Sequence, residues 1–287
     1  MTDTTGTPSN LPGLATRHSL TLTPETSRAR LAALDIVAGL FAWRLWWTMA
    51  WNDTKMRYRR SVLGPFWLTI SMAISVGMLG FLYAKLFKIE SQTYVPSLTL
   101  GLLAWGYVQG VVTDGCTSFM LSENFIKQIR LPFSTFIYRI ICRNVIILGH
   151  NAIVYLVVAV VYRIVPTWNT LLLIPGFGLV LLTSVWVGLL LGMVCTRFRD
   201  FPQLVTSLLQ VLFFVTPIMW VPEQLGQRAY FVQFNPGYHV VELIRAPLLG
   251  NAPREITWLY LAAMTAAGGL VTFFMFRHYR NRISFWL

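Results

Sequence analysis

The sequence predicts an all-α integral membrane protein. It has six transmembrane helices, an N-terminal amphipathic helix in the membrane interface and a re-entrant extracytoplasmic helical segment before the last span. Three observations predict this. Of 287 residues, 55% are hydrophobic and 12% charged, about half the ~25% charge of a soluble domain. Apolar runs of roughly 20 residues recur along the chain, each long enough for a ~30 Å hydrocarbon core. The 23 Lys and Arg are unevenly divided: 17 lie before the first run, in alternate loops and in the C-terminal tail, and 6 in the other loops. Cytoplasmic loops carry such an excess. This places both termini in the cytoplasm and agrees with an even number of spans.

Residues 1–30 read as a disordered cytoplasmic tail. The first 27 hold eight Thr, three Ser and three Pro, a composition of disorder, with no basic stretch leading into an apolar run as a secretory signal requires. Residues 31–60 are the interfacial helix. Leu31–Trp51 has the length of a span, but Asp35 and Arg44 would each cost ~2.5–3.5 kcal/mol near a bilayer centre. Arg44, Thr48, Asn52 and Lys55 share one side of a helix, and Ala42, Leu45, Trp46, Met49 and Ala50 the other. That is the pattern of a helix lying in the interface plane; a seventh span is the alternative.

Residues 61–287 form the membrane domain. Its spans fall near Pro65–Leu86, Tyr94–Val112, Ile140–Tyr162, Leu171–Cys195, Leu204–Val221 and Trp258–Phe276. They are helices because lipid offers backbone groups no partners. Pro175, Pro202 and Pro217 mark kinks or breaks. Val221–Ile256, with Phe231, Phe234, Tyr238 and Leu243, is too apolar for a free external loop, and short helices dipping back into the outer leaflet fit it.

Motifs that would carry chemistry are missing. The sequence has no G-x-x-x-x-G-K-[ST], hence no P-loop for ATP. No H-E-x-x-H, C-x-x-C or paired Asp motif offers a metal site. Cys116, Cys142 and Cys195 read as plain buried thiols. Spans three to six carry no Asp or Glu in their apolar cores, whereas proton- or sodium-coupled carriers normally use intramembrane carboxylates. The net charge of +12 fits cytoplasmic loops better than nucleic acid, because the aromatics lie in apolar stretches and not beside basic clusters. A passive membrane half driven by an outside energy source remains, or a channel.

Met56-Arg57-Tyr58-Arg59-Arg60-Ser61-Val62-Leu63-Gly64-Pro65-Phe66-Trp67 resembles the junction of interfacial helix and first span in ABC transporter permeases that export polysaccharides, the family of the O-antigen, capsule and teichoic acid exporters. Glu123-Asn124-Phe125-Ile126-Lys127, then Arg130-Leu131-Pro132, resembles that family's first cytoplasmic coupling loop. Arg197-Phe198-Arg199-Asp200 resembles its second. Pro217-Ile218-Met219-Trp220, followed by Asn235-Pro236 and Glu242-Leu243-Ile244-Arg245, resembles its re-entrant outer segment. The likeness runs from about Leu40 to Leu287, with the motifs in the family's order. It implies a homodimer of six-helix halves in the bacterial cell membrane (the inner membrane of a Gram-negative cell). It also implies two copies of a separate ABC ATPase that binds the ATP and Mg, so that this chain carries no cofactor and no catalytic residue. The cargo it implies is a lipid-linked glycan passing through a continuous conduit.

The same residues have their own physical readings. Arg57, Arg59 and Arg60, with Tyr58, either anchor the first span to anionic headgroups or collect the phosphates of a lipid-linked substrate, since Arg binds phosphate bidentately. Glu123–Lys127 is either a solvated loop or a short helix, with Asn124 as its cap and Phe125 and Ile126 as an apolar knob for an ATPase cleft. Arg197, Arg199 and Asp200 would join that contact. His150, Asn151 and Gln210 either bond between helices or line a hydrated path, and Arg143 snorkels to the cytoplasmic surface. Tyr83, Trp105 and Tyr107 either pack against helices and lipid or offer stacking faces to sugars. Trp220, Tyr238 and Glu242 would form a gate at the exit. Gly77 and Gly80 mark the first span for a close dimer seam with the fifth. Rival readings are a permease of this architecture moving a lipid, drug or other small molecule, a membrane enzyme acting on a polyprenyl lipid, and a passive channel.

Overall fold

The computed structural model describes residues 24–57, 64, 66–220, 222 and 230–287. Of the tail expected over residues 1–30, residues 1–23 lie outside them and the rest belongs to the first helix; Tyr58, Arg59 and Arg60 also lie outside them. Two helices, α1 (Pro24–Phe41) and α2 (Trp43–Arg57), open the described chain. α1 begins ahead of the expected Leu31 because a proline, with φ already set, suits the first helical position. The two are bent by 63° at their junction. Their contacts with α6 (Ser134–Val161) run from Asp35 on Ser134, through Trp46 against Tyr138, to Ala50 against Ile146. The pair therefore crosses the first half of α6 and does not follow its length.

α3 (Phe66–Phe87), α4 (Ser91–Thr117), α6, α7 (Leu173–Arg197, entered through a 3₁₀ turn at Trp168–Leu172) and α10 (Glu255–Tyr279) are long and apolar enough to cross a membrane. α4 is the hub, with α3, α6, α7, α8 (Phe201–Val215) and α9 (Pro236–Leu248) all packed on it. Small residues allow this. A Cβ on Gly115 would sit 3.3 Å from the Cα of Gly188, so α4 and α7 meet backbone to backbone. α4 also runs past the expected end at Val112, because Asp114 is paired inside the bundle and does not mark a boundary with water.

The fifth predicted span, Leu204–Val221, is a shorter helix. α8 stops at Val215 and is about 22 Å long at 1.5 Å per residue. Thr216 is extended, with ψ 133°, and Pro217 has no N–H with which to continue. The turn that follows is tied down one group at a time. Asn235 Nδ2 donates to Thr216 Oγ1 (3.0 Å), Arg245 Nη1 to the Pro217 carbonyl (2.8 Å) and the Tyr94 hydroxyl to the Met219 carbonyl (2.5 Å). α9 then starts on Pro236, with Asn235 Oδ1 accepting from Gly237 N (2.8 Å). Most of α9 is buried against α4, α7 and α10. The segment before the last span is thus a packed helix. α5 (Glu123–Gln128) and α11 (Ile283–Trp286) close the opposite end of the bundle.

Candidate functional site

The end carrying α5 gathers the two predicted coupling segments. Glu123 and Lys127 pair at 2.6 Å across one helical turn. Lys127, and then the nearby Arg199, hold the Glu123 carboxyl below its usual range, so the two loops lie side by side. Phe125 is 45% exposed, while Ile126 packs on the cluster of Phe119, Phe136 and Ile283. α5 thus shows an aromatic outward from an anchored base. Asn124 lies inside α5 and does not cap it; Ser122 holds the cap position, without a side-chain bond. Arg197 ends α7 with its guanidinium over the rings of Phe198 and Trp286. Arg199 and Asp200 are exposed in the turn before α8, as is Arg57 at the end of α2.

Between α4 and α8 lies a groove of about 350 Å³ lined by Trp105, Gln109, Thr206, Leu209, Gln210, Phe213 and Phe214. It brings together two of the five predicted channel residues, Trp105 and Gln210, and adds Gln109 and Thr206. Trp105 is only 4% exposed and packs on Phe213 at 5.7 Å, so it forms the floor. Gln109, Thr206 and Gln210 are exposed. Exposed amides on membrane helices face water or another subunit, not lipid.

The other three predicted channel residues point elsewhere. Tyr107, 3% exposed, bonds Ser184 at 2.9 Å in the core between α4 and α7. Tyr83 packs with Ala84, Tyr94 and Leu98 near the far end of α3. His150 bonds the Ile146 carbonyl through Nδ1, and its own carbonyl accepts from Thr69 on α3. At the far end Trp220 Nε1 caps the Phe214 carbonyl (3.0 Å), and Tyr238 is buried on α9. Glu242 bonds Arg245 (2.7 Å), whose guanidinium also holds the Pro217 carbonyl. Beside them His239 is buried, stacked on Tyr260, and burial lowers its pKa.

Arg143 does not snorkel. Its Nη2 binds Asp114 at 2.6 Å and its Nη1 lies 3.6 Å from Asp53. Arg139 grips both oxygens of Asp53, at 2.5 and 2.6 Å, and Asn144 Nδ2 donates to Asp114 at 2.8 Å. Two carboxylates and two guanidiniums neutralise one another between α2, α4 and α6. Oppositely charged residues on separate predicted helices were the only hint in the sequence. A second cavity, about 860 Å³, opens on the flank between α1–α2, α6, α7 and α10, and residues such as Leu40, Trp46, Ile141, Leu181, Val185 and Phe273 make it apolar. Among the described residues no cluster of His, Cys, Asp or Glu could hold a metal ion.

Membrane-length helices around a buried ionic core, with one amide-lined flank, define a polytopic helical membrane protein. Residues 44–249 match the ABC-2 type transporter family, and the chain belongs to that family. It is similar to the O-antigen export system permease protein RfbA of Myxococcus xanthus, 25% identical over 71% of this chain and 80% of the relative. It is likewise similar to that of Klebsiella pneumoniae, 24% identical over 64% and 72%. The polysialic acid transport protein KpsM of Escherichia coli is 28% identical over 78% of this chain and 87% of its own. The chain is accordingly a membrane subunit of an ABC transporter.

Proposed function

We propose that the chain is the membrane-spanning subunit of an ATP-driven exporter that moves lipid-linked polysaccharide, of the O-antigen, capsular or teichoic-acid kind, out across the bacterial cytoplasmic membrane. The amide-lined flank of α4 and α8, in a chain whose relatives are named for exporting such polymers, carries this reading. One copy supplies half a path. A second, related by a two-fold axis, would face its own groove to the first and enclose it. α3 and α8 form the seam, because Phe66, Ile74, Met78, Phe81, Leu208 and Val211 leave a broad apolar face exposed. Gly77 lies on that open face, whereas Gly80 is already used against Val95 of the same chain.

ATP and Mg belong to a separate ATPase, two copies per dimer. Its clefts receive α5, with Phe125 as the knob, and touch Arg197, Arg199 and Asp200. The α1–α2 pair lies in the cytoplasmic interface, both termini are cytoplasmic, and Arg57 with Tyr58, Arg59 and Arg60 admits the phosphates of the lipid carrier. α9, with Trp220, Tyr238 and Glu242, closes the outer end as a re-entrant gate.

The test is complementation of a strain lacking this gene and reconstitution with an ABC ATPase from the same organism. Surface polysaccharide should return with the wild-type chain. The Phe125→Ala, Lys127→Glu double variant should accumulate in the membrane yet export little. Unchanged surface polymer in the deleted strain, or restoration of a lipid or drug efflux instead, would overturn the reading in favour of its rivals.

A further inference from the structure

Three segments remote in sequence meet at one buried carboxylate. The side chain of Asp35 on α1 is fully buried. Its Oδ1 accepts from the backbone N–H of Ser134 (3.0 Å). Its Oδ2 accepts from that of Phe133 (3.2 Å) and from Arg280 Nε (2.7 Å). Ser134 Oγ returns a bond to the Asp35 carbonyl (2.6 Å), and the Tyr138 hydroxyl bonds the Ile36 carbonyl (3.2 Å). Arg280 also lies over the Phe133 ring, 5.6 Å from its centre.

The chemistry is that of a helix cap delivered from another helix. The cap position of α6 is Phe133, whose side chain cannot accept a hydrogen bond. The first N–H groups of a helix need acceptors, and an anion there is favoured by the helix dipole. Asp35 supplies both. Gly39, one turn on, permits the approach: a Cβ there would lie 2.0 Å from Ser134 Oγ. Phe133 and Ser134 are the residues through which α5 connects to α6. A displacement of α5 therefore has a direct route to Asp35 through two backbone bonds, beside the packing of Ile126 on the core.

We propose that Asp35, seated by Arg280, is the positioning residue that carries the movement of α5 into the α1–α2 pair, so that the pair shifts each time the ATPase pushes. This rests on reading α5 as the coupling element. Its action is indirect, since Asp35 touches neither nucleotide nor polymer.

The experiment uses the full transporter, chain and ATPase together, in nanodiscs. Asp35→Asn keeps the shape but leaves one carbonyl to serve three donors; Arg280→Gln removes only the seat. Polymer exported per ATP hydrolysed, at equal amounts of inserted complex, should fall about tenfold for Asp35→Asn, within the usual strength of coupling between sites, and less for Arg280→Gln. Spin labels at Leu34 and Gln128, in a chain without its native cysteines, should change position with nucleotide together in the wild type. In the variants only the Gln128 label should move.

Should Asp35→Asn fail to insert, Arg280→Gln and the labels decide by the same criteria. An unchanged ratio of polymer to ATP, or a Leu34 label that still follows nucleotide, overturns the proposal. The Phe125→Ala, Lys127→Glu variant separates the two failures. If it alone uncouples, α5 is the coupling element and Asp35 is a structural cap. If it exports normally, the reading of α5 has failed, and the proposal with it.

Discussion

The two flanks of the bundle differ in size and in chemistry, and the two do not run together. The groove between α1–α2, α7 and α10 is more than twice the volume of the one between α4 and α8, yet apolar side chains dominate its lining, and the lipid chains of a bilayer satisfy it. The smaller groove holds two glutamines that lipid cannot satisfy, beside Thr206, whose hydroxyl donates to the Pro202 carbonyl. A hydrated cargo needs groups that tolerate water along its path, so the smaller flank is the one to test for transport. α6 divides its faces between the large cavity and the buried ionic core. Tyr138, Ile141, Cys142 and Val145 face the large cavity, while Arg139 and Arg143 turn to Asp53 and Asp114.

That division can be attacked where it is strongest. Replacing Arg143 by Met removes one guanidinium and leaves Asp114 with only Asn144. Stranding one partner of a buried pair costs about 3–5 kcal/mol, so the purified protein should melt much earlier, whereas Arg143→Met with Asp114→Leu should recover most of the loss. Next, Gln109→Leu with Gln210→Leu makes the small groove resemble the large one. Export should drop about tenfold, in the range of one good polar contact network lost, with insertion intact. The mirror change, Gly269→Leu, enters open space in the large cavity, since a Cβ there meets nothing within 4 Å; export should change less than about twofold, inside the noise of a surface substitution. If the second change left export intact and the third abolished it, the flanks would have been assigned the wrong way round.

Smaller effects sharpen the boundary. Tyr107→Phe loses the bond to Ser184 and should lower stability by about 1 kcal/mol while export holds, because that ring lies away from the groove. At the end of the bundle that carries α9, His239 supplies a pH dependence. Burial lowers its pKa in the folded protein, so above about pH 6.5 both folded and unfolded states are neutral and its contribution is complete. As the pH falls below that value the unfolded chain takes up a proton first, and stability declines until the folded pKa is reached. Melting curves from pH 7.5 to 5.5 should show this slope, and His239→Asn should flatten it.

Much of the helix pattern is legible in the sequence, because a bilayer demands long apolar runs and the charge between them is a bulk property. What is pairwise is not. Asp114 looks like the end of a span and Arg143 like a snorkelling residue until each is seen to be the other's partner. Asp35 looks like a penalty against burial until Arg280 and two backbone amides surround it. The early stop of α8 was half visible: Pro217 marked a break, but the hydrogen bonds that stabilise the turn come from residues 94, 235 and 245, which no local pattern reveals. Trp105 and Tyr107 are the instructive pair. Residues two apart on a helix do not share a face, so both could not line one groove, and the structure sends one to α8 and the other to α7. Gln109, four beyond Trp105, lies on its side of the helix and was within reach of the same reasoning.

Asp35 and Arg280 are separated by 245 residues, and that distance has a meaning for how the protein is made. At about 5–20 residues per second, a ribosome needs on the order of 12–50 seconds between the two. Through that interval the carboxylate has no guanidinium to meet, and α1 cannot settle into its final seat however early it is synthesised. The last helix to be inserted thus completes the first. A chain arrested before residue 280 should leave a cysteine at Ala32, fully buried in the finished protein, open to thiol reagents. Maturation of the amino-terminal end would then report on synthesis of the whole chain, and quality control could tell a finished subunit from a fragment by one buried charge.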